Sequence, residues 1–127
     1  MKYVDNTIAS SVKISEENSR SLSRKKGDIK SPFNKITYER NAAVYKILAH
    51  SIRLEILNIL KFSERTVEEL LKVIPITKAN MSQHLALLRY AGIVKTRKNG
   101  LNVIYQIVDP RIVEPCSILR DLRRDPR

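Results

Sequence analysis

The sequence predicts a mainly α-helical domain carrying one small β-hairpin, and three observations predict it. Apolar residues recur at helical spacing through Tyr38, Ala42, Tyr45 and Leu48/Ala49, and again through Ile52, Ile56, Ile59 and Leu60. A turn at Pro75 separates two segments that each open on a capping hydroxyl, Thr66 and Thr77. Asn99-Gly100 divides two β-patterned runs, the second carrying Val103, Tyr105 and Ile107.

Each element follows from its residues. Residues 1–35 are rich in Ser, Asn, Lys and Arg, and their aliphatics keep no period. Gly27 and Pro32 interrupt any helix there, so this segment reads as a basic, largely disordered N-terminal extension. Its Ser21-Leu22-Ser23-Arg24-Lys25-Lys26 run reads first as a solvated tail. The folded domain spans 36–123 and starts with a helix over about residues 37–49. Ser51 is expected to cap a second helix ending near Phe62. Thr66-Val67-Glu68-Glu69 has the form of a capping box, opening a short helix through Val73. Pro75 stops that helix, and Thr77 caps the next, which runs to Gly92. Residues 93–98 and 101–108 then pair across Asn99-Gly100. Asp109-Pro110 closes the strand and favours a turn or helix start. A last helix places Ile112, Cys116, Leu119 and Leu122 on one face, with Glu114 expected to cap it ahead of Pro115. Residues 124–127 form a basic tail.

Two helices joined by Ile74-Pro75-Ile76 and followed by a hairpin make a winged helix-turn-helix, with residues 77–92 as its recognition helix. Charge agrees. The formal net charge is +11, of which residues 1–35 hold +4 and residues 36–127 hold +7, so the domain is basic without its tail. Residues 70–108 contain no Asp or Glu but hold Lys72, Lys78, Arg89, Lys95, Arg97 and Lys98. Such a surface collects phosphate. The single cysteine, Cys116, excludes an intramolecular disulfide framework. No apolar run approaches the roughly 20 residues needed to span a bilayer, and no secretory signal opens the chain, which reads as cytoplasmic.

Helical spacing puts Met81, Leu85 and Leu88 on the buried side of the recognition helix and Ala79, Ser82, Gln83 and Ala86 opposite. Gln83 and Asn80 can pair with adenine, Lys78 can donate to guanine, and Ser82 can hold base or phosphate. His84, beside the buried side, joins these contacts, against a plainer role in packing or hydrogen bonding. Arg97 and Lys98 are placed at the wing tip, against backbone or minor groove. Double-stranded DNA is the expected partner. No nucleophile–base grouping, Gly-rich phosphate loop or paired carboxylate points to an enzyme, and no Cys pair or close His pair points to a metal.

The chain from about residue 43 to 122 resembles the ArsR/SmtB family of winged-helix regulators. The resemblance rests on Leu48-Ala49-His50-Ser51-Ile52-Arg53-Leu54-Glu55-Ile56-Leu57 and on Met81-Ser82-Gln83-His84-Leu85-Ala86-Leu87-Leu88-Arg89-Tyr90-Ala91-Gly92-Ile93-Val94. It implies a homodimer held by the first and last helices, with a recognition helix of each subunit in a major groove, and repression by occupying a promoter. The family's metal-sensing members carry Cys-Val-Cys before the recognition helix, where this chain has Thr66 and Glu68. Other members bind zinc through Asp and His of the last helix. Here Asp109 remains, but Arg111 and Leu122 stand near the places of the histidines. No metal or other cofactor is therefore expected. Cys116 is expected as a small buried hydrophobe, with a one-cysteine redox switch across a dimer as the sharper alternative. The leading expectation is a sequence-specific transcriptional regulator, a repressor on a palindromic operator. The alternative is a protein-interaction module in a nucleoprotein assembly, for which the outward Leu87 is the one hint.

Overall fold

A computed structural model describes residues 27–126. The expectations for residues 1–26, including the basic run at 21–26, and for Arg127 lie outside them. The described residues fall into two units, divided between Tyr45 and Lys46.

In the first unit, α1 (Lys35–Leu48) begins two residues before its expected start. Asn34 is the reason: its Oδ1 accepts from the Thr37 amide at 3.3 Å and from the Thr37 hydroxyl at 2.8 Å. Ahead of the helix, the Ser31 hydroxyl donates to the Tyr38 hydroxyl at 2.7 Å, and Phe33 meets the Tyr38 ring edge-on. α1 itself runs on through the unit boundary.

The second unit holds α2 (Ser51–Leu60), β1 (Arg65–Thr66), α3 (Val67–Leu71), α4 (Lys78–Tyr90), β2 (Val94–Asn99), β3 (Asn102–Ile107), a 3-10 turn (Pro110–Val113) and α5 (Glu114–Arg123). Its core is wholly apolar. Ile56, Leu57 and Leu60 of α2, Leu70, Ile74, Met81, Leu85 and Leu88, and Ile93, Val94, Ile104 and Val113 are buried, and no polar residue joins them. Met81, Leu85 and Leu88 are the side of α4 that helical spacing selects. α4 packs on α2 and α3, and β2 follows directly from its end.

The turn chemistry explains why these helices stop where they do. The capping box forms: Thr66 Oγ1 accepts from the Glu69 amide at 3.2 Å, and Glu69 Oε1 accepts from the Thr66 amide at 3.0 Å. α3 ends at Leu71, short of Val73, because the amides of Val73 and Ile74 both turn back to the Leu70 carbonyl. That closure buries Ile74 and leaves Val73 outside. Thr77 Oγ1 then caps α4 through the Asn80 amide at 3.1 Å. At its far end Gly92, at φ 75°, donates to the Arg89 carbonyl, and Ile93 donates to the Leu88 carbonyl. This is a Schellman motif whose two apolar partners, Leu88 and Ile93, are both in the core.

Four further details differ from expectation. His50 caps α2, its Nδ1 accepting from the Ile52 amide at 3.2 Å, and Ser51 is already helical. The hairpin loop is Gly100-Leu101, because Asn99 pairs with Asn102. Gly100, at φ 65°, takes the first turn position, where a left-handed residue matches the strand twist. A third strand, β1, joins the sheet in the order β1-β3-β2, with Thr66 opposite Ile104. Two residues are too few for an alternation pattern to announce them. Finally, Asp109 caps the 3-10 turn, and Glu114 is the first residue of α5 instead of its cap. Pro115 is thereby in the first turn, where its missing amide costs nothing. α5 buries none of its residues; Ile118, Leu119 and Leu122 are exposed and Cys116 is half-buried. Among the described residues no helix is long and apolar enough to cross a membrane.

Candidate nucleic-acid interface

Because the buried stripe of α4 fixes its rotation, the opposite stripe is fixed as well. Ala79, Asn80, Ser82, Gln83 and Ala86 are all exposed, together with Lys78 at the helix start. The small side chains leave the helix surface low, and Ser82 and Gln83 stand on it with their polar atoms in solvent. This face presents amide and hydroxyl groups able to read base edges. Leu87 is 39 % exposed at its margin.

His84 turns away from this face. Its Nδ1 accepts from Arg53 Nε at 3.2 Å, and its ring stands 4.6 Å from that of His50. Arg53 also donates to the Ile47 carbonyl at 3.0 Å, so one guanidinium ties the end of α1 and α2 to α4. Desolvation, reinforced by His50 and Arg53, pushes the His84 pKa below its ordinary value. An imidazole accepting from arginine in this way is neutral and orients the helix.

The wing separates its two candidate cations. Lys98 is exposed and makes no ion pair among the described residues. Arg97 instead forms a bidentate pair with Glu64, one arm of which is Nε to Oε2 at 3.2 Å. Gln106 donates to the same carboxylate. These bonds, Arg97 first and Gln106 next, hold the Glu64 carboxyl below its usual range. The register explains the arrangement. A loop at Asn99-Gly100 would place Arg97 beside Asn102 near the tip, whereas Gly100-Leu101 sets it opposite Ile104, farther down the hairpin. Continuing the β1–β3 register brings Glu64 level with Gln106. Leu60, Glu64, Lys95, Gln106 and Ile107 line a shallow cleft there.

Lys78 is paired too, its Nζ 3.3 Å from Glu68 Oε1. The acid-free span of residues 70–108 is therefore met by two carboxylates from just outside it. Neither Glu64 nor Glu68 is visible as part of the site from periodicity. The usable signal is their place in the short segment that the third strand folds against the wing. Thr66, Glu68 and Asp109, the positions weighed as metal ligands, are engaged in the α3 cap, with Lys78 and with Arg111 respectively.

Comparisons with known proteins agree with this geometry. Residues 50–96 match the family described as bacterial regulatory protein, arsR family. A helix-turn-helix transcriptional regulator of Mycobacterium tuberculosis is 39 % identical over 84 residues, spanning 65 % of this chain and 74 % of that protein. The transcriptional activator HlyU of Vibrio cholerae is 34 % identical over 95 residues, which cover 72 % of this chain and 88 % of its own. The solved HlyU structure superposes with a TM-score of 0.62 at 30 % identity, over 70 % of this chain and 97 % of that one. A homodimeric winged helix-turn-helix DNA-binding domain from Mycobacterium bovis gives a TM-score of 0.65 at 25 % identity, covering 80 % and 94 %. With the recognition helix, the wing and the matched segment all coinciding, this chain belongs to the ArsR family of winged helix-turn-helix transcriptional regulators, which are not enzymes.

Proposed function

We propose that the protein is a homodimeric repressor that binds a palindromic operator in duplex DNA. The observation that carries this reading is the fixed rotation of α4, which buries Met81, Leu85 and Leu88 and leaves Ser82 and Gln83 exposed beside a basic wing. In this reading Asn80, Ser82 and Gln83 contact bases in the major groove, while Lys78, Arg97 and Lys98 contact phosphate. His84 sets the seat of the helix. The exposed Ile118, Leu119 and Leu122 of α5 supply an apolar face for a second subunit, which supports a dimer in which the first and last helices form the interface. A dimer with two-fold symmetry spaces its recognition helices by one DNA turn, roughly 34 Å, and so selects half-sites with a dyad.

Repression by occlusion requires occupancy of the promoter and no further partner, which is the direction we propose. Selection from random duplexes tests the reading of sequence, with a dyad-symmetric consensus as the expected result. A consensus lacking a dyad refutes the dimeric reading, and the absence of any consensus refutes sequence recognition, leaving a protein-interaction module. A reporter placed behind the selected site tests the direction. Its expression should fall when the protein is supplied, and a rise would make the protein an activator.

A further inference from the structure

We propose that Glu64 is a built-in competitor for DNA phosphate: it occupies the Nε–Nη2 edge of the wing guanidinium of Arg97 in the free protein, contests that edge and its charge with phosphate, and so restrains affinity for DNA of any sequence. The inference rests on the reading above that the wing meets the DNA backbone, and it assigns a residue that sets sequence-independent affinity without touching DNA.

Residues 70–108 lack acid, yet the fold delivers Glu64 to Arg97 through the short β1 segment that runs alongside β3. The pair uses both carboxylate oxygens, since Nε donates to Oε2 and the terminal nitrogen to Oε1. Gln106 adds a third donor, so the carboxylate stays in place as well as charged. A bidentate carboxylate fork is the geometry that a phosphate also offers to arginine, so the two acceptors compete for one surface of the guanidinium. Arg97 is 47 % exposed at its side chain and Glu64 33 %, which leaves the guanidinium reachable from solvent. Arg97 is thus reachable by DNA, and a phosphate that takes its Nε–Nη2 edge must displace Glu64.

The comparison within the wing supports this reading. Lys98, the next residue, makes no ion pair among the described residues and meets phosphate without giving up a partner. At the start of the recognition helix the pattern recurs more loosely, with Glu68 beside Lys78 at side-chain exposures of 62 % and 70 %. Sequence-independent affinity comes almost entirely from phosphate neutralisation. A carboxylate that taxes one phosphate contact therefore lowers binding to every sequence alike.

The test is a double-mutant cycle with E64Q, R97A and both together, on the full chain, read by affinity for a duplex of random sequence at fixed salt. Glu64→Gln keeps the side-chain shape and can still accept one hydrogen bond. The expected result is several-fold tighter binding by E64Q than by the parent, with a smaller gain when the same change is made in the R97A background. E64A, which removes the acceptor altogether, should tighten binding at least as much; matched thermal melts of the variants exclude misfolding as the cause. An equal gain with and without Arg97 would reduce Glu64 to a distant charge and overturn the competition. Weaker binding by both E64Q and E64A would make Glu64 a support for the wing and overturn it as well. If the parent itself fails to bind the duplex, the DNA reading falls and this inference with it; parent binding without an E64Q gain sinks this inference alone.

Discussion

Two helices of this protein, α4 and α5, have similar lengths and opposite fates. α4 (Lys78–Tyr90) places Met81, Leu85 and Leu88 in its own subunit's core, and its outer side is polar. α5 (Glu114–Arg123) places nothing in a core, and its outer side carries Ile118, Leu119 and Leu122. An amphipathic helix is stabilised by burying its apolar side, so the first is complete within one subunit and the second is not. A helix oriented by its own core can present a fixed polar face to DNA. A helix that shows its apolar face to solvent is suited to a second copy of the chain. The proposed division of labour, with α4 reading DNA and α5 making the dimer, matches the side that each helix keeps.

The largest expected effect comes from breaking the first arrangement. Leu85→Ala opens a cavity beneath α4 and should cost about 2–5 kcal/mol of stability, measured by denaturant unfolding. A cost below roughly 1 kcal/mol would mean that α4 is not held by this core. Breaking the second arrangement should spare the fold. Leu119→Asp combined with Leu122→Asp should leave helical content near the parent level and yield a monomer by light scattering, with operator affinity reduced more than tenfold. A dimer that survives both changes does not use this face of α5.

The same contrast, specific face against unspecific charge, can be sharpened inside the DNA surface. Gln83→Ala should cost about 1–3 kcal/mol on a selected operator and little on random duplex. Equal losses on both would remove Gln83 from base reading. Lys98→Ala should weaken all sequences alike and lower the salt slope by about one unit. Arg97→Ala should lower the slope by a fraction of a unit if, as proposed, Arg97 exchanges Glu64 for phosphate. Identical slopes for these two variants would contradict the difference in their pairing.

Periodicity and punctuation made much of this legible. Three turns of α4 suffice for Met81, Leu85 and Leu88 to define a side, and Thr66, Thr77 and Gly92 are residue types with few other uses at helix ends. What stayed hidden depends on chain partners distant in sequence. Arg97 and Glu64 are 33 residues apart, and Arg53 and His84 are 31 apart. No local pattern announces either pair. One misplaced turn residue also mattered. Assigning the loop to Asn99-Gly100 moves every β2–β3 partner by two residues, enough to put Arg97 at the wing tip instead of beside Glu64. His84 carried a mixed signal, because its position borders both sides of α4, and only the location of Arg53 decides it.

His84 also provides the smallest expected effect, one that tests whether α4 is seated by the histidine as well as by the core. Burial chiefly, then His50 and Arg53, lowers its pKa from the ordinary 6.5. A base whose folded pKa is depressed binds protons more readily when unfolded, so its stabilising contribution is present above 6.5 and is lost as pH falls through 6.5 toward the depressed folded value. The carboxylates give a separate window. Glu64, Glu68 and Glu69 are lowered from 4.5 and Asp109 from 3.8, so their contribution is present above those values and is lost as pH falls below them. Thermal melting should therefore show a shallow loss of stability just below 6.5 and a steeper one below 4.5. His84→Gln, which can still accept from Arg53 but does not titrate, should remove the first loss and keep the second. If the shallow step survives that substitution, the titrating group lies elsewhere and His84 does not couple the seat of α4 to pH.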